Sequence, residues 1–372
     1  MIRLRRGRVL RIVEQRAGAV ELAVEVEGHE ARALAYPDLV GPVPVGSRVV
    51  LNTTAVALGL GTGGLHFVVA VEDGPDVDSP SRGRTMKLRY TPLQLQTEVV
   101  EETSGAREAM AGGESLAGTP VVWVPLHSLL GPVAAGAVAA GAKRVAYVMT
   151  DGAALPAALS RLAAALRSTD LLGVVVTAGQ AFGGDLEAVN VFSGLLAASH
   201  VTGADVIVVG DGPGNTGTDT KWGTTAVASA MSLNAAAILL GRPVAALRIS
   251  FADRRRRHRG VSHHSLTALR SVALAPVHVA IPALDDADQR EAVWSALKDA
   301  ALEDRHQLVE VTGHPALEAL EGAGIEPESM GRGISEDPAF FLAGGAAGVL
   351  AGRMAARSAG WQPDAPTADP AG

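Results

Sequence analysis

The sequence predicts an α/β protein: a mostly parallel sheet flanked by helices, preceded by a small N-terminal β-barrel-like domain. Three observations predict it. From Thr119 onward, short continuous Val-rich runs alternate with Ala/Leu-rich stretches of helical length, the pattern of parallel strands covered on both faces. Before that point the chain reads as short alternating strands punctuated by Gly and Pro. Aromatic residues make up only 3%, so the core must be built from Val, Leu, Ile and Ala.

In order, residues 1–103 form the small β-rich domain, with strands expected at 8–14, 19–26, 31–36, 48–52 and 67–71. Pro42, Pro44 and Gly46 stand ahead of Ser47-Arg-Val-Val-Leu, a pattern frequent in small barrels. A Pro/Asp/Ser/Gly stretch at 73–83 breaks the pattern. Residues 86–101 are β-like again, either returning to the barrel or crossing to the next domain. Residues 104–119 are a polar, Gly-rich connection. The doubly wound α/β domain takes up 120–359, with strands expected at 121–126, 144–149, 172–177, 205–209, 244–251, 277–281 and 307–311. Helices are expected between them at 129–140, 156–167, 189–200, 224–240, 263–272 and 286–304. The Gly/Ala-rich run at 339–351 falls short of the roughly 20 residues a membrane span needs and reads as a buried helix. The Pro/Ala/Asp-rich stretch 360–372 reads as a disordered tail.

Bulk properties narrow the function classes. At 372 residues the chain is long enough for two domains or one large α/β domain with an appendage, and 48% hydrophobic with 19% charged residues is a globular composition. A net charge of −7 argues against nucleic acid or an anionic membrane as partner. The absence of cysteine excludes disulfides, thiolate nucleophiles and Cys-ligated metals. The basic start, Met1-Ile-Arg-Leu-Arg-Arg, is followed by alternating residues rather than an apolar signal core, so a cytoplasmic setting is expected. A homo-oligomer remains open.

In an open parallel sheet the strands end at one edge, and ligands bind just beyond it. The expected exits are all polar: Pro125-Leu-His127-Ser128, Thr150-Asp151-Gly152, Ala178 through Glu187 with Gln180 and Asp185, the loop 210–223, and Asp253 through His264. The returns from helix to strand are plain by comparison.

The fourth exit, Gly210-Asp-Gly-Pro-Gly-Asn-Thr-Gly-Thr-Asp-Thr-Lys-Trp-Gly223, is the densest. Backbone N–H groups and hydroxyls ahead of a helix suit a small anionic ligand. Gly212, Gly214, Asn215, Thr216, Gly217, Thr218 and Lys221 are its candidate binding residues. Gly212 to Gly217 fits GxGxxG, but the unit is fourth in the sheet, and no acid ends a strand about 20 residues on. A Walker loop fails because Gly217 is followed by Thr218. The cofactor therefore stays unassigned. Lys221 is one of only four lysines against 28 arginines, and a compact ammonium suits a phosphate or carboxylate; an exposed loop lysine is the plain alternative.

His258, His263 and His264 are the candidates for acid/base or metal chemistry, since imidazole titrates near neutrality and binds zinc, nickel or iron. With Ser262 as N-cap, His263 and His264 share a first helical turn and face different directions. At most one of the pair is expected to meet a ligand also held by His258. No HExxH or H-x-H spacing supports a metal. His127 is a candidate substrate contact. Asp151 and Asp185 are candidate general bases or cation ligands, with turn and cap roles equally open. Arg254 to Arg257 lack interleaved aromatics and read as a solvated loop or a local anion contact.

Several of these segments together resemble one family: Phe182-Gly-Gly-Asp-Leu-Glu-Ala-Val-Asn, Gly212-Pro-Gly, Arg257-His-Arg-Gly-Val-Ser-His-His, Met330-Gly-Arg and Asp337-Pro-Ala-Phe-Phe. With Leu51-Asn-Thr-Thr-Ala-Val and Leu58-Gly-Leu-Gly-Thr-Gly-Gly-Leu-His-Phe they are similar to the uncharacterised bacterial family domain of unknown function 3866. The resemblance spans nearly all the chain except the tail and implies no activity.

Two functional readings follow. The first is an enzyme, a hydrolase or group transferase, acting on a small anionic, phosphorylated or nucleotide-like metabolite at the strand C-terminal edge. It requires His127, Asp151, Asp185, Lys221 and His258 to converge in one cleft. The second is a non-catalytic ligand sensor or assembly protein using the same edge for an effector or a subunit contact.

Overall fold

The computed structural model describes residues 2–60, 63–79, 81–111 and 113–358; the expected tail lies outside them. The N-terminal strands are β1 (Leu4–Arg16), β2 (Ala19–Val26), β3 (His29–Ala35), β4 (Arg48–Asn52) and β5 (Leu65–Val71). They close into a barrel in the order β1-β2-β3-β5-β4, with β4 returning to β1. The β3–β5 pair is parallel and the other pairs are antiparallel. Strand β1 is long enough to serve both neighbours because two register shifts, at Val9/Arg11 and Ile12/Glu14, bend it across the barrel. Val9, Leu22, Val24, Val49 and Leu51 fill the interior.

Strand β2 is buried on both sides, unlike an ordinary barrel strand. The reason is docking. Ala19, Leu34 and Tyr36 pack outward against Ala158 and Leu159 of the second domain, and Arg16 donates to the Ala158 carbonyl at 2.9 Å. Arg161 adds an ion pair to Glu14 at 2.6 Å and another to the buried Glu21.

The β-like segment 86–101 takes the second expected course and crosses to the next domain, where Val99 bridges Glu187 and the Val100 N–H donates to the Glu187 carbonyl at 2.8 Å. It forms a hairpin of its own, β6 (Thr85–Lys87) with β7 (Leu95–Thr97), and Lys87 drives into the second domain.

That domain holds an eight-stranded sheet: β8 (Pro120–Trp123), β9 (Val145–Thr150), β10 (Val174–Ala178), β11 (Leu186–Ala188), β12 (Val206–Asp211), β13 (Arg242–Ala245), β16 (His278–Pro282) and β17 (Gln307–Val311). The order is β11-β10-β9-β12-β8-β13-β16-β17, and each neighbouring pair is parallel. Successive strand residues divide between two cores: Val122 and Val124 join one, Val121 and Trp123 the other. Crossovers of one hand must use opposite faces when the chain moves in opposite directions along a sheet. Accordingly the helices Leu130–Ala139 and Arg161–Ser168, on the path leftward from β8, share one core, and Met231–Ile238 and Ala287–Asp299, on the rightward paths, share the other.

The run expected as one strand at 244–251 stops at Ala245. Two short strands, β14 (Ile249–Ser250) and β15 (Gly260–Val261), then pair antiparallel as a ribbon beyond the sheet's edge. The apolar run at 339–351 is the N-terminal part of the helix Pro338–Ser358. Among the described residues it is the one helix long and apolar enough to cross a membrane, yet 83% of the apolar window is buried inside the protein. It is a core helix, and its glycines explain how: a Cβ at Gly348 would stand 2.1 Å from the Val133 carbonyl oxygen, so the two helices touch backbone to backbone.

Candidate functional site

A cleft of about 500 Å³ opens at the C-terminal edge of the sheet, beyond β8, β12 and β13. It is floored by the β8 exit (Pro125 to Ser128) and walled on one side by residues 213–217 of the glycine-rich loop. The β14–β15 ribbon brings Arg248, Arg255, His258 and His264 to the other wall, and Glu328 to Met330 close the rim. The loop's glycine content has a local cause: Gly214 has φ of +93°, and a Cβ on Gly217 would stand 2.5 Å from Cε1 of His264. The loop lies directly on an imidazole ring.

The three histidines form one cluster. Ring centroids stand 4.0 Å apart for His263 and His264, 5.0 Å for His258 and His264, and 5.1 Å for His258 and His263. A nitrogen from each lies within 4.8 Å of the others. This corrects the expectation that His263 and His264 cannot both meet a ligand of His258. Successive Cα–Cβ bonds do diverge at the helix start, but imidazoles are long enough to bend toward one point, and the ribbon holds His258 over them. Ser262 caps the helix through the His264 N–H at 3.3 Å and bonds Nδ1 of His258 at 2.8 Å. Burial, then Arg248 and Arg255, lower His258 to about 3. Burial, then His263 and Arg248, lower His264 to about 4, and burial and Arg257 lower His263. All three are neutral at pH 7.

Behind them lies an arginine–carboxylate group. Arg255 grips Asp253 with both ends of its fork, at 3.0 and 2.8 Å, and Arg248 reaches the same carboxylate at 3.1 Å. Arg248 and Asp253 are almost fully buried. The Arg255 hydrogen bond, reinforced by both guanidinium charges, holds Asp253 well below the usual carboxylate range. Burial and the neighbouring Arg255 bring Arg248 down to about 10, which leaves it charged. Two guanidiniums therefore face the cleft, with Asp253 offsetting one of their charges from behind and Glu328 as the carboxylate in the lining.

The expected five-residue convergence does not occur. His127 and His258 line this cleft and Asp151, Asp185 and Lys221 do not. His127 is fully engaged there: Nε2 lies 2.7 Å from Ser160 Oγ and Nδ1 3.2 Å from the Tyr147 hydroxyl, which donates to the Asp211 carbonyl at 2.8 Å. Burial lowers it to about 4. Asp151 is exposed at the β9 exit, where it accepts the Gln180 N–H at 2.8 Å and lines a separate hollow with Asp211 and Asn190. Asp185 sits at the opposite edge of the sheet. Strand β11 runs parallel to β10 after a connection of residues 179–185, so the chain must return to the start of β10, where Asp185 accepts the Val175 N–H at 2.8 Å and pairs with Arg167.

Of the loop candidates, Gly214, Asn215, Thr216 and Gly217 line the cleft. Gly212 is packed under it, against the Ala154 carbonyl. Thr218 turns its hydroxyl to Thr220 and the Gly223 carbonyl, and exposed Lys221 lies over its neighbour Trp222. Asn215 is a hub, donating to Asp211 at 2.9 Å and Thr225 at 3.1 Å. Sequence reasoning passed over Arg248, although a lone arginine inside the apolar run Ala245 to Phe251 was a signal: buried arginine requires a partner. Burial raises the pKa of Asp211, the carboxylate at the centre of the β9–β12 junction, which accepts Thr150 at 2.6 Å.

Residues 32–348 match the model of the family described as protein of unknown function (DUF3866). No curated protein and no solved structure matches the chain. The chain belongs to this family, and four of the segments that carry the resemblance, those at 212–214, 257–264, 330–332 and 337, gather around the cleft or its supporting ion pairs.

Proposed function

Taking membership of a family without an assigned activity as the premise, we propose that the cleft is the active site of a hydrolase or group transferase acting on a small anionic metabolite bearing phosphate or carboxylate. The cleft required on sequence grounds, shared by His127, Asp151, Asp185, Lys221 and His258, does not form, so the two carboxylates and Lys221 drop out and only the expected histidine acid–base set is kept. The observation that carries the reading is the joint lining: two guanidiniums, a glycine-rich loop at a sheet edge and neutral imidazoles share one small cleft. The guanidiniums suit the oxyanion, where desolvation strengthens each hydrogen bond, and the imidazoles supply lone pairs where a water would be activated. A bacterial cytoplasmic setting belongs to the same proposal.

Calorimetric titration with inorganic phosphate and pyrophosphate, joined to a turnover screen of phosphomonoesters, phosphodiesters and carboxylate esters, tests it. Wild-type protein is expected to bind an oxyanion and turn over one class, and Arg255→Ala to lower kcat/KM roughly 10- to 1000-fold. Saturable binding without turnover would hand the cleft to the sensor reading. No oxyanion binding would end both.

A further inference from the structure

We propose that His258, His263 and His264 form a binding site for one divalent first-row transition ion, of the zinc, cobalt, nickel or iron(II) class, set in the wall of the cleft. The proposal rests on the anion reading only for what completes the coordination sphere. Two independent observations carry it. The first is convergence: one nitrogen from each ring lies within 4.8 Å of the other two. Tetrahedral ligands with metal–nitrogen bonds of about 2.0–2.1 Å stand about 3.4 Å apart, so side-chain rotations closing each gap by no more than about 1.4 Å bring the set to bonding distance.

The second is an orphan. His264 is 4% exposed, and its Nε2 is buried with no hydrogen-bond partner; the same is true of His263 Nε2. An unsatisfied buried nitrogen is a standing cost, and two of them on adjacent residues of one three-histidine cluster are what a metal ion resolves. His258 completes the pattern through a hydrogen bond on its far side. Its Nδ1 lies 2.8 Å from Ser262 Oγ, and a hydrogen bond there fixes the ring and leaves Nε2 for the ion.

The ligand chemistry sets the metal class. Three neutral imidazoles without thiolate or carboxylate suit borderline ions, whereas magnesium and calcium require oxygen. Three protein ligands leave a position open, as in catalytic rather than structural sites. The positive charge that Arg248 and Arg255 hold in excess of Asp253 disfavours a bare cation beside them and favours an anion in that open position. Metal and oxyanion should therefore bind with positive coupling.

The test uses the full chain stripped with a chelator. Equilibrium dialysis against Zn²⁺ with elemental analysis measures uptake, and visible absorption of the Co²⁺ form reports the ligands. One equivalent is expected, with at least tenfold weaker binding in His258→Ala, His263→Ala and His264→Ala, an intermediate loss in Ser262→Ala, and no change in His200→Ala, whose ring bonds the Ser115 carbonyl elsewhere. Thermal unfolding of the metal-free variants checks their fold; if an alanine variant unfolds, His264→Gln takes its place. Failure of the wild type to take up metal, or uptake indifferent to all three substitutions, overturns the site. Phosphate binding by the stripped protein without metal uptake keeps the anion reading and ends this one; metal uptake without phosphate binding does the reverse.

Discussion

Lys87 and His264 are both buried polar side chains at one sheet, and they differ in what their nitrogens meet. Lys87 is 1% exposed, and Nζ is fully employed: Glu187 at 2.6 Å and the carbonyls of Ala181 and Thr177 at 2.5 and 3.1 Å. Glu187 in turn accepts the Thr177 hydroxyl and the Gly183 N–H, each at 2.7 Å. Nothing is left for a ligand, and the network fastens the β6–β7 hairpin to the sheet. At the cleft, by contrast, His264 in the lining and His263 beside it hold nitrogens that no protein group meets. Complete satisfaction marks structure, and incomplete satisfaction in a shared cleft marks a site.

The largest effect that can break this contrast is on stability at the closed network. Lys87→Met leaves the half-buried Glu187 carboxylate, 14% exposed, without its cation and should cost about 3 kcal/mol, read by urea denaturation. A loss below about 1 kcal/mol would mean that the ion pair contributes no more than a surface one, and that the distinction drawn from hydrogen-bond counts does not hold.

Asp253 comes next, because it belongs to the cleft yet is itself fully paired. Its pKa is lowered, chiefly by Arg255, so its contribution is complete above the unfolded value near 3.9 and is lost as the pH falls through the folded value. Asp253→Asn should cost about 2 kcal/mol at pH 7. The gap from wild type should close progressively below about pH 4. Denaturation series at pH 7, 5 and 3 check it, and a gap constant across that range would show that the carboxylate's charge is not what holds the two arginines.

These two sites also show how much the sequence made legible. Periodicity and punctuation located the barrel, with 19–26 and 48–52 matched to the residue, and placed the sheet strands to within a few positions. Loop 210–223 and the histidines at 258–264 were recognisable because their residue types are costly to place without a purpose. What stayed hidden was direction. The ribbon that turns Arg248 and Arg255 into the cleft depends on a two-residue pairing, Ile249 with Val261 and Ser250 with Gly260, too short to leave a pattern. Asp185 was read as a strand exit because the three-residue β11 behind it was not recognisable as a strand. Partnering of Lys87 with Glu187 spans 100 residues, and no local signal reports it.

A smaller effect tests the open side directly. His264→Leu removes the partnerless Nε2 together with one hydrogen bond to the Thr218 backbone, so the metal-free protein should change in stability by no more than about 1 kcal/mol, although the residue is as buried as many core leucines. A loss of 3 kcal/mol or more, the scale of a broken buried network, would mean that the ring nitrogen is satisfied in solution, and the two regions would no longer differ.

The smallest expected effect concerns the boundary of the cleft. Lys221 is exposed beside Trp222; residues 218–223 bond among themselves through Thr218, Thr220 and Gly223, and Asp219 pairs with Arg257, so the segment is held without Lys221. Lys221→Ala should therefore leave stability within about 0.5 kcal/mol and leave the phosphate Kd unchanged, whereas Arg255→Ala should not. The two cations differ in what holds them. Arg255 is locked on Asp253 with its guanidinium at the cleft, while Lys221 would have to give up its place on the indole and carry the whole 218–223 segment with it. A tenfold rise in Kd for Lys221→Ala would mean that the segment folds over the bound anion. The rare lysine would then belong to the open region, as a residue recruited by the ligand rather than positioned before it arrives.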